Sequence, residues 1–104
     1  MSSNQELARI FSEIADVLDL TGANAFRVNA HRKVARILEE ASEDLAALAR
    51  TDPERLRAIP GIGEGSAAKI EEFLHTGKVA EHDELLATIP AGVPGLLGIP
   101  GLGP

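Results

Sequence analysis

Lys69 stands four residues after Gly65, and four other cations, Arg27, Arg32, Lys33 and Arg36, fall within ten consecutive residues that contain no acid. A lysine that loses solvent beside other cations is pushed toward its neutral amine, which can attack an aldehyde to form a Schiff base. A run of Arg and Lys without carboxylates at helical spacing lacks ion-pair partners of its own and suits a phosphate. His31, four residues from Arg27, adds a donor to such a site as a cation or as a neutral N–H. Each reading has a plainer alternative. The cations can be a solvated helix face and His31 a surface residue, while spacing alone favours Lys69 as a helix lysine paired with Glu71 or Glu72. His75 and His82 have no Cys or acid at metal-ligand spacing, so no zinc site is expected. No Ser–His pairing supports acyl transfer, and no Asp-x-Asp cluster could hold the two metals of nucleotidyl transfer.

These side chains need elements to hold them, and the stretch Leu56–Ile70, LRAIPGIGEGSAAKI, supplies the centre. Pro60 fixes its own φ and turns Ile59 away from helix, so a short helix must stop near Ala58. Gly61, Gly63 and Gly65 permit unusual backbone and leave it open to approach, and a second helix is expected to open about Gly65. Its N-terminal N–H groups, with those of Gly61, Ile62 and Gly63, offer a phosphate seat. No Gly-Lys-Ser/Thr follows the loop and no strand precedes it, which excludes a Walker loop and a dinucleotide fold. The pattern is a helix-hairpin-helix, a type that grips the DNA backbone without reading sequence; a bare αα-turn is the plainer reading. The core string recurs as IPGLG at 99–103, forty residues later.

Helical periodicity predicts a first helix over residues 4–20, stopped at Gly22, with Leu7, Ile10, Phe11, Ile14, Val17 and Leu18 inward. Asn24 is the expected N-cap of a second, reaching about Ala41, with Phe26, Ala30, Val34, Ile37, Leu38 and Ala41 as its core face and Arg27–His31 on another. Ser42 is expected to cap a third, Glu43–Arg50. A capping box of Thr51 and Glu54, with Pro53 in the first turn, is expected to open the short helix before the hairpin. After the hairpin, Ala67, Ile70, Phe73 and Leu74 stripe a helix ending at Gly77, and another short one covers about 79–88. Nothing alternates with period two, so the fold class is all-α, a compact bundle of four or five short helices around one core.

The chain of 104 residues supports one small domain. It has no cysteine, no apolar run long enough for a membrane and no signal-like N-terminus, and a cytoplasmic location is expected. Its net charge of −6 opposes nucleic-acid binding by total, yet the basic window is polarised against acids gathered elsewhere. Over 91–104, Gly and Pro supply eight of fourteen residues. The division expected is a domain at 1–88, then a linker and the truncated start of a second hairpin at 89–104, with the chain read as a piece of a longer protein. A protein-interaction module with acidic faces is the alternative function.

The order of Phe26-Arg-Val-Asn-Ala-His-Arg-Lys-Val-Ala35, IPGIGEGSAAKIEEFLHTGK and IPGLGP resembles the N-terminal region of family X DNA polymerases. The bacterial members that carry a PHP phosphoesterase domain look closest, and DNA polymerase β is the eukaryotic relative. The resemblance implies a domain that grips the 5′-phosphate side of gapped or nicked DNA in base excision or gap-filling repair. It places Lys69 on the Schiff-base lysine of a 5′-deoxyribose phosphate lyase. Arg27 falls on a phosphate-binding lysine, His31 on a tyrosine, and Arg32 and Lys33 on the basic pair that follows. The backbone carbonyls of Arg57, Ile59 and Ile62 fall on those that hold a monovalent cation, Na or K. Gly65 replaces a second pocket lysine and Phe26 a stacking histidine. Divalent metals and nucleotidyltransferase activity belong to the remainder of such a polymerase chain, beyond Pro104.

Overall fold

The apolar residues of the first stretch recur at helical spacing, and in a computed structural model of the protein, which describes residues 3–88, they form the buried face of α1 (Ser3–Leu20). The helix ends where a left-handed residue is available. Ala23 N–H donates to Leu18 O at 2.8 Å and Gly22 N–H to Asp19 O at 3.2 Å, with Gly22 at φ 80°. This paired closure satisfies the last carbonyls and reverses the chain.

Asn24 then caps α2 (Ala25–Glu40), its Oδ1 accepting from Phe26 N–H at 2.7 Å. The face that α2 buries differs from the expected one. Val28, His31, Val34, Ala35 and Leu38 point inward, while Ala30 is exposed and Phe26 is 82% exposed. The stripe is rotated because α2 lies antiparallel along α1, and the line of closest approach, not the largest side chain, decides what is covered. His31 is therefore a core residue rather than a surface one. Its ring sits against Phe11 with centroids 5.9 Å apart.

Two caps also differ from expectation. Asp44, not Ser42, starts α3 (Leu45–Thr51), accepting from Ala46 and Ala47 N–H. Asp52, not Thr51, starts α4 (Pro53–Ala58) and accepts from Arg55 N–H, with Pro53 in the first turn. Asp52 also closes α3, donating its own N–H to Leu48 O at 2.7 Å. Thr51 instead hydrogen-bonds back to Ala47 O. Asn4 ties α1 to the entrance of α3: its amide donates to Glu43 O at 2.7 Å and accepts from Leu45 N–H at 2.9 Å.

The hairpin leads into α5 (Glu64–Thr76), which stops at left-handed Gly77, and α6 (Ala80–Ala87) follows. Buried Val79 seats the start of α6, Glu72 accepts from Ala80 N–H at 2.8 Å, and His82 Nε2 lies 2.6 Å from Glu13 Oε1 on α1. One apolar cluster joins α1, α2, α3, Leu56, Ile62 and α5. A second joins Ile10, Ile14, Leu18, Val28 and Val79, and Phe73 packs against both. The all-α bundle expected from the sequence is what forms. Among the described residues there are six helices and no strand, matching the six segments read along the sequence and exceeding the four or five assigned to the bundle. No helix among them is long and apolar enough to cross a membrane. The second hairpin string at 99–103 lies outside the described residues.

Candidate functional site

The turn between α4 and α5 is built on one left-handed glycine. Ile59 N–H returns to Leu56 O, Ile62 N–H donates to Ile59 O at 3.0 Å, and Gly61 between them has φ 95°. Ile62 is buried beneath the turn, so its N–H and side chain are both engaged there. Gly63 is the N-cap of α5 and provides no capping side chain. The first-turn amides, including that of Gly65, thus have no cap hydrogen bond from it. Gly63 and Gly65 have open space where a Cβ would stand.

The hairpin is clamped from outside. The Arg57 guanidinium reaches Glu71 at 2.8 and 3.3 Å and Glu64 at 3.1 Å, joining α4 to α5 across the turn. The Arg57 hydrogen bond holds the Glu71 carboxyl below the usual carboxylate range, and the charges of Arg57 and His75 add to this against partial desolvation. Gly61 meets α2 directly: a Cβ built on it would lie 2.6 Å from Ile37 Cδ1 and 3.1 Å from Lys33 Cε. The basic helix and the hairpin are therefore neighbours.

Arg27 and Lys69, from α2 and α5, converge on a single carboxylate. Arg27 Nη2 is 2.6 Å from Glu81 Oε2, and Lys69 Nζ is 2.9 Å from Glu81 Oε1. Lys69 is thus paired across the fold with α6, not with Glu71 or Glu72; Glu71 is held by Arg57, and Glu72 caps α6. Burial alone would raise the Glu81 pKa. The Lys69 hydrogen bond and charge, with the charges of Arg27 and His31, overcome that and hold it lowered. His31 Nδ1 donates to Arg27 O at 2.9 Å, while its buried Nε2 has no protein partner. A buried ring nitrogen in that state is a position for a water or ligand atom.

The remaining cations divide. Arg32 pairs with Asp16 at 3.0 Å and Asp19 at 3.7 Å on α1, so the acid-free window finds partners from another helix. Lys33 and Arg36 are exposed and meet no carboxylate among the described residues. Sequence spacing brings Arg27, His31 and Lys69 to notice. It misses Glu81, which is 54 residues from Arg27 and joins it only through the packing of α6.

This chain is similar to known proteins in two respects. Over 99 residues, 95% of its length, it is 32% identical to the DNA polymerase/3′-5′ exonuclease PolX of Bacillus subtilis (strain 168). It spans only 16% of that protein's length. Residues 2–79, from α1 to the start of α6, match the family described as the helix-hairpin-helix domain. The chain belongs to the helix-hairpin-helix domain family.

Proposed function

We propose that this domain grips the 5′-phosphate side of gapped or nicked DNA as part of a family X polymerase working in base excision or gap-filling repair. The observation that carries the reading is the convergence of Arg27 and Lys69, from two separate helices, on one anionic group. Supporting it are the uncapped N-terminus of α5, the exposed Lys33 beside the hairpin, the exposed Arg36 further along α2, and the similarity to a DNA polymerase. Arg27, His31 and Lys69 form the pocket; Arg32, Lys33, Arg36 and the amides of Gly61, Gly63 and Gly65 track the backbone. Ile62 supports the turn from below. The carbonyls of Arg57, Ile59 and Ile62, hard oxygens around the C-terminal end of α4, suit a monovalent cation. Such an ion would brace the turn against the phosphate's charge.

The test is binding to a single-nucleotide-gapped duplex with a 5′-phosphate or a 5′-hydroxyl at the gap. The phosphorylated duplex should bind more tightly, and affinity should fall steeply with salt. Arg27→Ala should weaken phosphate-dependent binding by about 1.5–3 kcal/mol, roughly 10- to 150-fold, the scale of a charged hydrogen bond. Equal affinity for the two ends would overturn the pocket. No binding even at low salt would favour the protein-interaction module instead.

Lys69 adds a 5′-deoxyribose phosphate lyase step to this reading, because its Nζ sits at the same pocket with its side chain only 20% exposed. To attack the aldehyde carbon it must leave Glu81 and lose a proton. Borohydride reduction in the presence of an incised abasic site should trap a covalent adduct that Lys69→Ala abolishes. Absence of an adduct in the unaltered chain removes the lyase assignment and leaves the binding assignment standing.

A further inference from the structure

The carboxylate of Glu81 sits where an incoming anion would sit. One oxygen engages Arg27 and the other Lys69, the bidentate arrangement that a phosphate would make with the same two cations. The helix that carries it is fixed at three places: buried Val79, the Ala80 N–H held by Glu72, and His82 against Glu13. Only the side chain of Glu81 is free to leave, by rotation about its own bonds.

Resting on the proposed phosphate-binding role, we propose that Glu81 is a built-in competitor that keeps the Arg27–Lys69 anion site filled until a phosphate displaces it. Both cations are engaged by the one carboxylate in the resting state, so a phosphate gains only the difference between its own contacts and those it breaks. The exchange also acts on Lys69. Its Nζ is held by Glu81 until an anion takes the place of that carboxylate, so the parting of Lys69 from Glu81 is coupled to arrival of a phosphate. Lys69 is largely covered, and the Arg27 guanidinium, although its side chain is 54% exposed, is already engaged by Glu81, which suits a site that must ignore chloride and free phosphate at cellular concentrations.

Inorganic phosphate is the direct probe, because it needs no DNA. In Glu81→Gln and in Glu81→Ala, millimolar phosphate should raise the melting temperature at constant ionic strength, as expected when a ligand binds the folded state alone. The unaltered chain and a Glu84→Gln control, which loses the same charge from the same helix, should show no such rise. Adding Arg27→Ala to Glu81→Gln should abolish it. On gapped duplex with a 5′-phosphate, Glu81→Gln should bind roughly five- to tenfold more tightly than Glu84→Gln, the scale of one half-buried ion pair. If both folded Glu81 variants ignore phosphate and bind that duplex no better than Glu84→Gln, the competitor role is overturned. If they respond to phosphate yet no protein prefers a 5′-phosphate end, the competitor stands and the DNA-end reading falls.

Discussion

Phe11→Ala should remove about 3–5 kcal/mol of folding free energy, the usual cost of truncating a fully buried aromatic residue. Phe11 is 0% exposed and belongs to the cluster that joins α1, α2, α3 and α5. In a domain this small that loss is a large part of the total, and the thermal midpoint should fall by well over 10 °C, at roughly 4–8 °C per kcal/mol. The effect extends to the site, since the His31 ring rests on Phe11 and His31 Nδ1 holds the Arg27 carbonyl. Binding to phosphorylated gaps should therefore weaken even at temperatures where the variant remains folded. Circular-dichroism melts and binding titrations at low temperature separate the two effects. A loss below about 1 kcal/mol would mean that the core collapses around the missing ring far better than such cores usually do.

Gly61→Ala should cost about 1–2 kcal/mol from backbone strain alone, because φ of 95° is left-handed and disfavours any Cβ. The added methyl would also meet Ile37 Cδ1 at 2.6 Å and Lys33 Cε at 3.1 Å, so the ends of these two α2 side chains must shift aside. Gly65→Ala gives the contrast. Its Cβ would meet nothing, and position 65 lies within α5, where Ala is the better helix former by about 1 kcal/mol. The two variants should move the melting temperature in opposite directions, and Gly61→Ala should also lose affinity for the phosphorylated gap. Equal melting temperatures would show that the turn can be rebuilt without a left-handed residue.

Much of this fold can be read from local signals, because local physics sets them. Gly22 and Gly77 stop helices through the backbone freedom of single residues, and Asn24 caps α2 through a hydrogen bond two residues away. The apolar stripe of α1 is dense enough to fix its orientation. Where several candidates adjoin, the local signal fails. Ser42 and Asp44, or Thr51 and Asp52, can each cap a helix, and the choice follows from where α2 and α3 end and, at α3, from the grip of Asn4. Phe26 looks like a core residue by type, yet the approach of α1 leaves it in solvent and buries His31. The site is legible in its cations and in its hairpin. Glu81, Asp16 and Glu13 enter only through tertiary packing, which no spacing within one helix encodes.

Asp52 ends one helix and begins the next with no residue to spare. A joint without slack fixes phase as well as angle. One residue inserted there would turn α4 by about 100° relative to α3, given 3.6 residues per turn. Leu56, fully buried on α4, would leave the core, and Arg57 would lose its line to Glu71. Insertions and deletions over the lifetime of this lineage should therefore be purged between Leu48 and Arg57, while substitutions at its exposed positions, such as Arg50 and Glu54, are free to drift. Chain length in that segment is as much a determinant of the hairpin's aim as the glycines are.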